Sequence, residues 1–472
     1  MNSQDQSGSD REISISYQIN CPNCEKLQTP SEKLPRHLCR SQVYGDEDKD
    51  KDKDEVKVQS LPTADICTAP RLLGRTCLNR RTMSDAASSA TGERVRTTVF
   101  QQERNTSITY RIPSLLRLPE GGTLLAFAEK RATARDTDAL WLAMRRGQVS
   151  NDSIQWSPME ELQDATLKCH RAMNPCPVYE KDSRTLFLFF ICVPKGVTEG
   201  EQLQKGKNAA KLCYIKSADG GRSWSSVTDL TDSVIGEKVK AWATFAVGPG
   251  HGIQTASGKL IIPAYAYHIG SSVQPHPHAF YFYSSDSGET WHIGDTVDMW
   301  SCECVMAEVV DQEKKGHVYC NARNQSGHRV EALGHSHDTG FSKSALALKL
   351  VEQNGGCQGT VIGFPAPKSY LEKHSNADSL TWLLFSHPTD EGSRRNLGVY
   401  LNKRPLQGSN WEEPWIINRG PSGYSDLVYC EDKELFVCLM ECGEKSEVEQ
   451  IASVCFSLSD VLEATGKKAE TQ

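Results

Sequence analysis

The sequence predicts an all-β protein, a six-bladed β-propeller with repeated hairpin turns that follows a disordered N-terminal extension. Short runs of β-branched and aromatic residues recur from residue 97 onward, separated by clusters of Gly, Pro, Asp and Ser. Long amphipathic patterns are scarce there, and one eight-residue turn pattern occurs twice. About 365 residues shared among about 24 strands leave about 15 residues for each strand and its turn, which suits six four-stranded blades.

The N-terminal region differs in composition from the rest of the chain. Runs such as "GDEDKDKDKDEVK" and "SDAASSATGER" are polar and poor in aromatic residues, which is typical of disorder. We therefore predict a disordered polar and charged extension over 1–95 and a propeller domain over 96–465. The opening "MNSQDQSGSDREISISYQ" has no basic start followed by an apolar core, so the sequence predicts no secretory signal and synthesis in the cytoplasm.

Cysteine usage and charge narrow the range of partners. Seventeen cysteines without regular spacing indicate free thiols in a reducing compartment. The formal net charge is −7 and the isoelectric point is near 6.0. This balance excludes a general attraction to nucleic acid or to an anionic membrane, so any anion site must be local.

The predicted strands follow one another with turn signals between them. In chain order they include "ITYRIPSLLRL", "TLLAFAEKR", "LFLFFICV", "KLCYIKS", "LIIPAYAY", "HAFYFYS" and "WLLFSH". The longest apolar run, "LFLFFICV" at 186–193, is far too short to span a bilayer and predicts a buried strand. Near the end of the chain, "LSDVLEAT" predicts a short helix.

The repeated turn pattern is Ser-x-Asp-x-Gly-x-x-Trp, written "SADGGRSW" at 217–224 and "SSDSGETW" at 284–291. In each copy a strand ends at the Ser, the Asp can bind amides of its own turn, and the Trp can pack back under the hairpin. Gly221 and Gly288 can supply the positive φ that such a turn needs. A third, degraded copy without Trp lies at 336–340. The pattern predicts equivalent turns in successive or alternate blades and indicates architecture rather than ligand contact.

Several motifs occur in the order found in one enzyme family. They are "YRIP" at 110–113, "FAEKR", "MNPCP", "FAVGPGHGIQ", "ECVMAEV", "NAR", "CQG", "LGVYLN" and "GYSDL". Together with the repeated turns, which that family calls Asp boxes, they make residues 97 to 460 resemble the sialidase (neuraminidase) superfamily. "WATFAVGPGHGIQ" and "ECGEKSEVEQIA" look most like its vertebrate membrane-associated, ganglioside-cleaving branch. The resemblance implies a glycoside hydrolase that releases terminal α-linked sialic acid with retention of configuration and needs no metal or other cofactor.

A sialic acid carries a carboxylate on its anomeric carbon, so its site must hold a fixed anion. Guanidinium groups suit this task because each offers a planar bidentate fork to a carboxylate. The resemblance places Arg111 of "YRIP", Arg323 of "NAR" and Arg394 of "SRRNLG" in this role. Arg395 is the neighbour of Arg394, and the alternation of side chains along a strand allows only one of the two to face the site.

The reaction also needs a nucleophile and a base. A carboxylate nucleophile would be repelled by the carboxylate of the substrate, and sialidases are known to use a neutral tyrosine instead. The resemblance assigns this role to Tyr424 in "GYSDL" and the base to Glu303 in "CECVM". Glu308 is five residues further on, so strand alternation directs it elsewhere.

An acid must protonate the leaving oxygen and later activate water. The resemblance assigns this role to Asp136 in "ATARDTDAL", with Asp138 as the competing candidate two residues away. The other implied site residues are charged, amide or aromatic side chains. They are Glu129 and Glu441, which orient the arginines, Arg131 and Asn174 near the N-acyl or C4 side of the sugar, and Glu199, Tyr265, Tyr267 and Gln358 as further pocket residues.

The resemblance implies sialylated glycolipids or glycoproteins as substrates, with ganglioside catabolism as the process and no nucleic acid partner. It also implies peripheral association with the plasma membrane or endomembranes, for which a palmitoylated cysteine is one route. Three alternatives remain open on sequence. They are a non-catalytic sialoglycan-binding propeller, a scaffold that uses the charged N-terminal arm, and a trans-sialidase.

Overall fold

The computed structural model describes residues 96–103, 105–150, 153–270 and 274–469. The predicted disordered extension over 1–95 lies outside the described residues. The described part contains 25 strands and three short α-helices, so the predicted all-β class is confirmed. Every strand pairing within it is antiparallel.

The strands form five sheets in chain order, except that the first strand joins the last sheet. The first strand is β1 (Thr97–Gln101), and the first sheet contains β2 (Thr109–Arg117), β3 (Leu124–Arg131), β4 (Ala139–Ser150), β5 (Ser153–Trp156) and β6 (Glu160–Leu162). The second sheet contains β7 (His170–Glu180), β8 (Thr185–Pro194), β9 (Lys211–Ser217) and β10 (Thr228–Asp229). The third contains β11 (Trp242–Val247), β12 (Ile253–Gln254), β13 (Leu260–His268), β14 (His276–Ser284) and β15 (His292–Ile293).

The remaining strands form a four-stranded and a seven-stranded sheet. The fourth sheet contains β16 (Cys304–Val310), β17 (Gly316–Ala322), β18 (His328–His335) and β19 (Lys343–Val351). The fifth adds to β1 the strands β20 (Thr360–Pro365), β21 (Thr381–Pro388), β22 (Arg395–Asn402), β23 (Trp415–Cys430), β24 (Leu435–Cys442) and β25 (Gln450–Ser457). The α-helices are α1 (Glu199–Lys205), α2 (Lys368–Lys373) and α3 (Leu458–Ala469).

Short helical turns lie between several strands. The 3₁₀ turns are Glu120–Gly122, Asp136–Asp138, Gly236–Ala241, Pro405–Gln407, Glu431–Lys433 and Glu447–Glu449, and a π-helical turn spans Thr231–Ile235. Two expectations about single elements are confirmed. The apolar run at 186–193 lies within β8, whose residues are buried on both faces, and the predicted C-terminal helix falls within α3.

The number of sheets differs from the predicted six. The seven-stranded sheet has the order β1-β25-β24-β23-β22-β21-β20, and the 16-residue strand β23 is its centre. Residues 415–421 of β23 pair with β22, whereas residues 422–430 pair with β24. Because no turn interrupts β23, two groups of four strands share one strand and count as one sheet.

Strands of successive sheets lie against one another. Strand β2 contacts β7 on one side and β23 on the other, and β16 contacts β13 and β20. The N-terminal strand β1 pairs with β25, so the start of the described chain completes the last sheet. This arrangement buries apolar side chains between neighbouring sheets, as in the cluster formed by Phe187, Phe189, Phe280 and Trp291.

Antiparallel pairing separates two edges of the sheets. One edge, here called the site edge, is where the first and third strands of a sheet begin and its second strand ends. In the first sheet, for example, β2 begins and β3 ends at this edge. The opposite edge is where third strands such as β9 and β14 end. Sequence positions near the starts of first strands and the ends of second strands are therefore brought together at the site edge.

Both complete Asp boxes lie at the ends of third strands, opposite the site edge. In the second box, Ser284 donates to Asp286 at 2.7 Å, and Asp286 accepts from the amide of Thr290 at 3.0 Å. These bonds lower the pKa of Asp286 to about 2. Gly288 has a φ of 89°, as the pattern predicted. The first box repeats this geometry, with the Asp219 carboxylate accepting from the amides at 222 and 223.

The tryptophans of the boxes join neighbouring sheets. The Trp291 ring packs edge-on against Phe189 of β8 at 4.6 Å between centroids, and the Trp224 ring packs against Phe127 of β3 at 6.4 Å. The degraded third copy bridges two sheets through its backbone instead, because the Asp338 carbonyl accepts from the Tyr281 hydroxyl at 3.1 Å. The predicted architectural role in successive sheets therefore agrees with these contacts.

Candidate active site

Tyr424 on β23 lies at the centre of a charged cluster at the site edge. Its hydroxyl donates to Glu303 Oε1 at 2.5 Å and accepts from Arg323 Nη1 at 3.1 Å. The guanidinium carbons of Arg111 and Arg394 lie 5.8 Å and 5.4 Å from the centroid of its ring. The arginines predicted from three distant motifs thus surround one tyrosine.

Two of these arginines are held by a glycine turn. Arg323, directly after β17, donates through Nε to the carbonyl of Gly355 at 3.1 Å. Arg394, directly before β22, donates through Nη2 to the carbonyl of Gly356 at 2.9 Å. Arg394 is half-buried, whereas its neighbour Arg395 is exposed. Only one of this adjacent pair therefore faces the cluster.

Arg111 on β2 is held by a buried carboxylate. Its Nε donates to Glu441 Oε1 at 2.7 Å, and the same oxygen accepts from the amide of Ile112 at 2.9 Å. The second oxygen of Glu441 accepts from the amide of Tyr424 at 3.1 Å. Burial opposes the charge of Arg111, but the pairing with Glu441 outweighs it and raises the pKa of the guanidinium. One carboxylate thus orients both an arginine and the strand that carries Tyr424.

The backbone is strained beside Arg111. Ile112 has a φ of 61°, a left-handed conformation that is costly for a β-branched residue. The pairing of β2 with β3 shifts register between Arg111 and Ser114, so this strain lies at a β-bulge. Bulges next to active sites redirect side chains, and here the bulge turns the Ile112 amide toward Glu441.

A second buried carboxylate serves the neighbouring strand in the same way. Glu129 on β3 accepts from Arg131 Nη2 at 2.6 Å and from the amide of Asn174 at 2.7 Å. Asn174 also has a positive φ, 58°, at a bulge in β7. Burial raises the pKa of Glu129, an effect that Arg131 partly offsets. Arg131 extends further and donates through Nη1 to Asp136 Oδ1 at 2.5 Å.

Asp136 and Asp138 have different surroundings. The Asp136 side chain is 68% exposed and makes the ion pair with Arg131, so it projects at the site edge with one fixed contact. Asp138 instead accepts from the hydroxyl of Thr133 at 2.5 Å and from Arg135 Nε at 3.2 Å, and the first of these bonds lowers its pKa. Asp138 is therefore occupied within its own loop.

Glu303 and Glu308 point in different directions. Glu303 binds Tyr424 through one oxygen and Arg323 through the other, at 2.7 Å from Nη1. Glu308 on β16 accepts from the amide of Ala256 at 2.7 Å, near the edge opposite the site. Glu303 lies directly before β16 rather than on it, but the two side chains are separated as strand alternation predicted.

Glu199 begins α1 and adds a carboxylate to the site. Glu199 is exposed at the surface, but the protein around it removes part of its hydration. This loss of hydration and the negative charges of Asp136 and Glu303 raise the pKa of Glu199 to about 7, whereas Arg323 acts to lower it. Tyr265 and Tyr267, near the end of β13, lie edge to face with ring centroids 6.2 Å apart. Burial and the charge of Glu199 raise the pKa of both tyrosines, so they present neutral hydroxyls.

Gln358 supports the site from within rather than lining it. Its side chain is fully buried, its Oε1 accepts from the amide of Ser425 at 3.0 Å, and its Nε2 donates to the carbonyl of Pro249 at 3.2 Å. Both ends of the amide are therefore bound to backbone. Its contact is with the residue after Tyr424.

Asp426 was not singled out from the sequence. It is fully buried and accepts from the amide of Leu115 at 2.7 Å and from the Thr360 hydroxyl at 2.8 Å. His251 Nδ1 lies 2.8 Å from Asp426 Oδ1; burial lowers the pKa of this histidine, but Asp426 outweighs that effect and raises it. Asp426 thus joins three first-strand regions beneath the site. Its position in "GYSDL", two residues after Tyr424, was the available signal.

The glycine turn was also missed as a functional element. Gly355 and Gly356 have φ values of 80° and 71°, and their carbonyls bind Arg323 and Arg394. The sequence "NGGCQG" marks a tight turn, but its carbonyl acceptors are backbone atoms that no motif of side chains reveals.

The arrangement suits a reaction on an anionic sugar. Burial and Glu303 raise the pKa of Tyr424 well above its ordinary value, so the phenol is protonated until a base removes its proton. Glu303 is in direct contact to do so. The three guanidinium groups supply positive potential beside it, in a chain whose net charge is negative.

Comparison with known proteins agrees with this geometry. The family described as "BNR repeat-like domain" matches residues 122–437. The Homo sapiens protein Sialidase-3 is 47% identical over 396 residues, which cover 77% of this chain and 92% of that protein.

Solved structures with low identity share the fold. The Hadza microbial sialidase Hz136 is 22% identical with a TM-score of 0.64, covering 78% of this chain and 69% of its own. The Trypanosoma rangeli sialidase in complex with 2,3-difluorosialic acid, described as a covalent intermediate, is 17% identical with a TM-score of 0.58, covering 81% and 61%. With the family match and the close relative, these comparisons show that the chain belongs to the sialidase family and is a glycoside hydrolase.

Proposed function

We propose that this protein is a retaining exo-α-sialidase that uses Tyr424 as its nucleophile. The observation that carries the proposal is the contact between the Tyr424 hydroxyl and Glu303 at 2.5 Å, surrounded by Arg111, Arg323 and Arg394. A protein that only bound sialoglycans would need the arginines but not a base in contact with a buried phenol. The geometry therefore favours catalysis over the binding-propeller alternative.

The arginines bind the carboxylate of the sugar. Each charge-assisted hydrogen bond to a carboxylate contributes about 1.5–3 kcal/mol, and Arg111 is fixed for this task by Glu441. The carboxylate then lies close to Tyr424, and the anomeric carbon beside it faces the phenol oxygen. A neutral nucleophile avoids the repulsion that an aspartate or glutamate would meet there.

In the first step Glu303 removes the phenol proton while the Tyr424 oxygen bonds to the anomeric carbon. The bond between that carbon and the glycosidic oxygen breaks, and Asp136, which must enter this step in its protonated form, gives its proton to the leaving oxygen. In the second step Asp136 takes a proton from water, and the water oxygen attacks the anomeric carbon and displaces Tyr424. Glu303 returns the proton to the phenolate, so two inversions give net retention.

The fold also supports a proposal on architecture. The two halves of the seven-stranded sheet serve as two blades that share β23, which makes six blades around Tyr424. Each half has four strands, and each begins with a strand that contacts its neighbour, because β20 contacts β16 and β23 contacts β2.

The substrates that we propose are gangliosides and other sialoglycoconjugates, with the protein bound peripherally to a membrane. No helix in the described part of the chain has the length and hydrophobicity to cross a bilayer. Two apolar side chains at the site edge support surface binding: Trp300, which is 57% exposed and stacks on His276, and Ile269, which is 41% exposed. Exposed tryptophan is typical of membrane interfaces.

Membrane association can be tested apart from catalysis. Cosedimentation with phosphatidylcholine vesicles that contain ganglioside is expected to fall in a Trp300→Ser, Ile269→Ser double variant, with hydrolysis of a soluble sialoside retained. Leu348→Ser is the matched control, because Leu348 is 67% exposed on β19 but does not border the site. Equal binding of the double variant, or all of the protein in the soluble fraction with vesicles present, overturns this part of the proposal.

The activity itself is tested by sialic acid release from a ganglioside and from a fluorogenic sialoside. The wild-type protein is expected to hydrolyse both, and Tyr424→Phe to lose about 10³-fold or more in kcat/KM. If the wild-type protein binds the sugar but releases nothing across the acid to neutral range, the hydrolase proposal fails. Activity in Tyr424→Phe close to wild type would remove the tyrosine from the mechanism.

A further inference from the structure

A buried cluster of charged side chains lies beneath the arginines, and the mechanism above does not use it. Arg329 on β18 and Glu352, directly after β19, are both fully buried, and His387 on β21 is 1% exposed. Arg329 Nη1 lies 2.9 Å from Glu352 Oε1, and His387 Nε2 lies 2.8 Å from the same oxygen. Burying an ion pair is costly unless further hydrogen bonds complete it, so the connections of this cluster matter.

The charge states within the cluster follow from its contacts. Burial alone would raise the pKa of Glu352, but Arg329 and His387 outweigh it and lower the pKa to about 2. Burial lowers the pKa of His387, with Glu352 opposing that effect. The cluster is therefore an arginine and carboxylate pair to which a neutral imidazole donates through Nε2.

The first connection runs from Arg329 to the glycine turn. Arg329 Nη1 donates to the carbonyl of Cys357 at 2.6 Å, at the end of the turn. The carbonyls of the two preceding glycines accept from the arginines of the site, Gly355 from Arg323 and Gly356 from Arg394. The turn therefore supplies a fixed contact to each guanidinium group, in addition to the contact of Arg323 with Glu303.

The second connection runs from Glu352 to the chain beside Arg323. Its Oε2 accepts from the amide of Asn324 at 3.2 Å. Gly356 lies between Glu352 and Arg323. A Cβ at this position would be 2.6 Å from Glu352 Oε2 and 2.7 Å from Arg323 Nε. Glu352, the turn and Arg323 thus leave no room for displacement, and only a glycine fits between them.

We propose that Arg329 and Glu352 are positioning residues that fix Arg323 and Arg394 for the carboxylate of the sugar, an inference that rests on the function proposed above. Free arginine side chains lose rotamer entropy when they bind an anion. Fixing them beforehand removes that cost from binding. A cluster that touches no substrate thereby sets the affinity for the substrate carboxylate.

The test compares Glu352→Gln with Glu331→Gln. Glu331 is the control because it is a buried carboxylate on β18 whose hydrogen bonds go to Tyr319 and Trp411 rather than to the glycine turn. The probes are 2-deoxy-2,3-didehydro-N-acetylneuraminic acid and its primary amide, which differ only at the carboxylate. The ratio of their inhibition constants measures how well the arginines recognise the negative charge.

We expect Glu352→Gln to reduce this ratio about tenfold and to raise KM more than it lowers kcat, because one charge-assisted contact is misaligned. Glu331→Gln is expected to keep the wild-type ratio even where its melting temperature falls. Gly356→Ala is the second variant, since its Cβ would press against Glu352 and Arg323 without removing a charge from the cluster. It is expected to reduce the ratio in the same direction.

The outcomes separate this inference from the proposed function. If the wild-type protein neither hydrolyses a sialoside nor prefers the acid to the amide, the proposed function fails and the positioning role fails with it. If the wild-type protein is active and the ratio is unchanged in Glu352→Gln and Gly356→Ala, only the positioning role is overturned. An equal fall in Glu331→Gln also overturns it, because the effect is then one of general destabilisation.

Discussion

The Tyr424 hydroxyl lies 2.5 Å from Glu303 Oε1, and the other oxygen of Glu303 holds Arg323 Nη1 at 2.7 Å. One carboxylate therefore contacts both the proposed nucleophile and an arginine proposed to bind the substrate. In the proposed mechanism its two oxygens have separate tasks, because one accepts the phenol proton while the other holds the guanidinium of Arg323. Glu303 and Arg323 flank the hairpin of β16 and β17, whereas Tyr424 on β23 is about 100 residues further along the chain and meets them at the site edge.

Replacing Glu303 by Gln is expected to lower kcat about 10²- to 10⁴-fold, since an amide cannot take up the phenol proton. KM should change less, because the amide oxygen can still bind Arg323. Steady-state hydrolysis of a fluorogenic sialoside measures both constants. Glu308→Gln, five residues further along the chain and bound to the amide of Ala256, should leave both unchanged. Equal losses in the two variants would contradict the role of Glu303 as base.

The arginine pair at the start of β22 offers a matched comparison. Arg394→Lys is expected to raise KM about tenfold or more, because lysine offers a point charge in place of a planar fork. Arg395→Lys should behave as wild type, since that side chain is exposed away from Tyr424. Measuring KM for both variants with the same sialoside checks the assignment. A larger effect from Arg395 would mean that the wrong member of the pair has been assigned to the site.

The raised pKa of Glu199, about 7, predicts a pH dependence of substrate binding. Below that pH the side chain is protonated and neutral, and above it the carboxylate is ionised and repels the anionic sugar. KM for a sialoside is therefore expected to rise as pH increases through about 7. Glu199→Gln should give a KM that stays low over the same range. A KM profile that is the same in the variant and the wild type would remove Glu199 from the titration.

Much of the fold and of the site could be predicted from the sequence because both depend on particular side chains. Each Asp box contains the groups that bond to one another, so the roles of Asp286 and Gly288 follow from the pattern alone. The motifs of the family likewise indicated Tyr424 and its arginines. The relation of Glu303 to Glu308 needed only the alternation of side chains along a strand.

The features that could not be predicted from the sequence depend on backbone atoms and on side chains that meet only in the folded interior. The carbonyl of Gly355 binds Arg323 through an atom that every residue has. Arg329 and Glu352 are separated by 23 residues and form an ion pair only because β18 and the residue after β19 meet in the interior. The shared strand β23 was missed for a related reason, since its glycines and proline are typical of turns but here lie within one continuous strand.

The Asp boxes predict stability effects that leave catalysis intact. A Cβ at Gly288 would lie 2.4 Å from Phe187 Cζ, whereas one at Gly258, whose φ of 88° nearly equals the 89° of Gly288, would meet nothing within 4 Å. Gly258→Ala is expected to cost about 1 kcal/mol from backbone strain alone. Gly288→Ala should cost about 2–4 kcal/mol, because overpacking adds to that strain.

Denaturant unfolding of the two glycine variants measures this difference, and kcat/KM of the folded fraction is the control. Both boxes lie opposite the site edge, so activity per folded molecule should be that of the wild type. Equal stabilities would show that Gly288 is required only for its backbone conformation. A specific loss of kcat in Gly288→Ala would connect the box to the site.

The role of Tyr424 is tested most directly by identifying the residue that bonds to the sugar. Incubation with 2,3-difluorosialic acid replaces the C2 fluoride by the nucleophile, and the 3-fluoro group slows hydrolysis of the product, so peptide mass spectrometry can locate the bond. We expect a single adduct on the peptide that contains Tyr424, absent in Tyr424→Phe. An adduct on another residue, or hydrolysis of a sialoside with inverted configuration and no adduct, would contradict a tyrosine nucleophile.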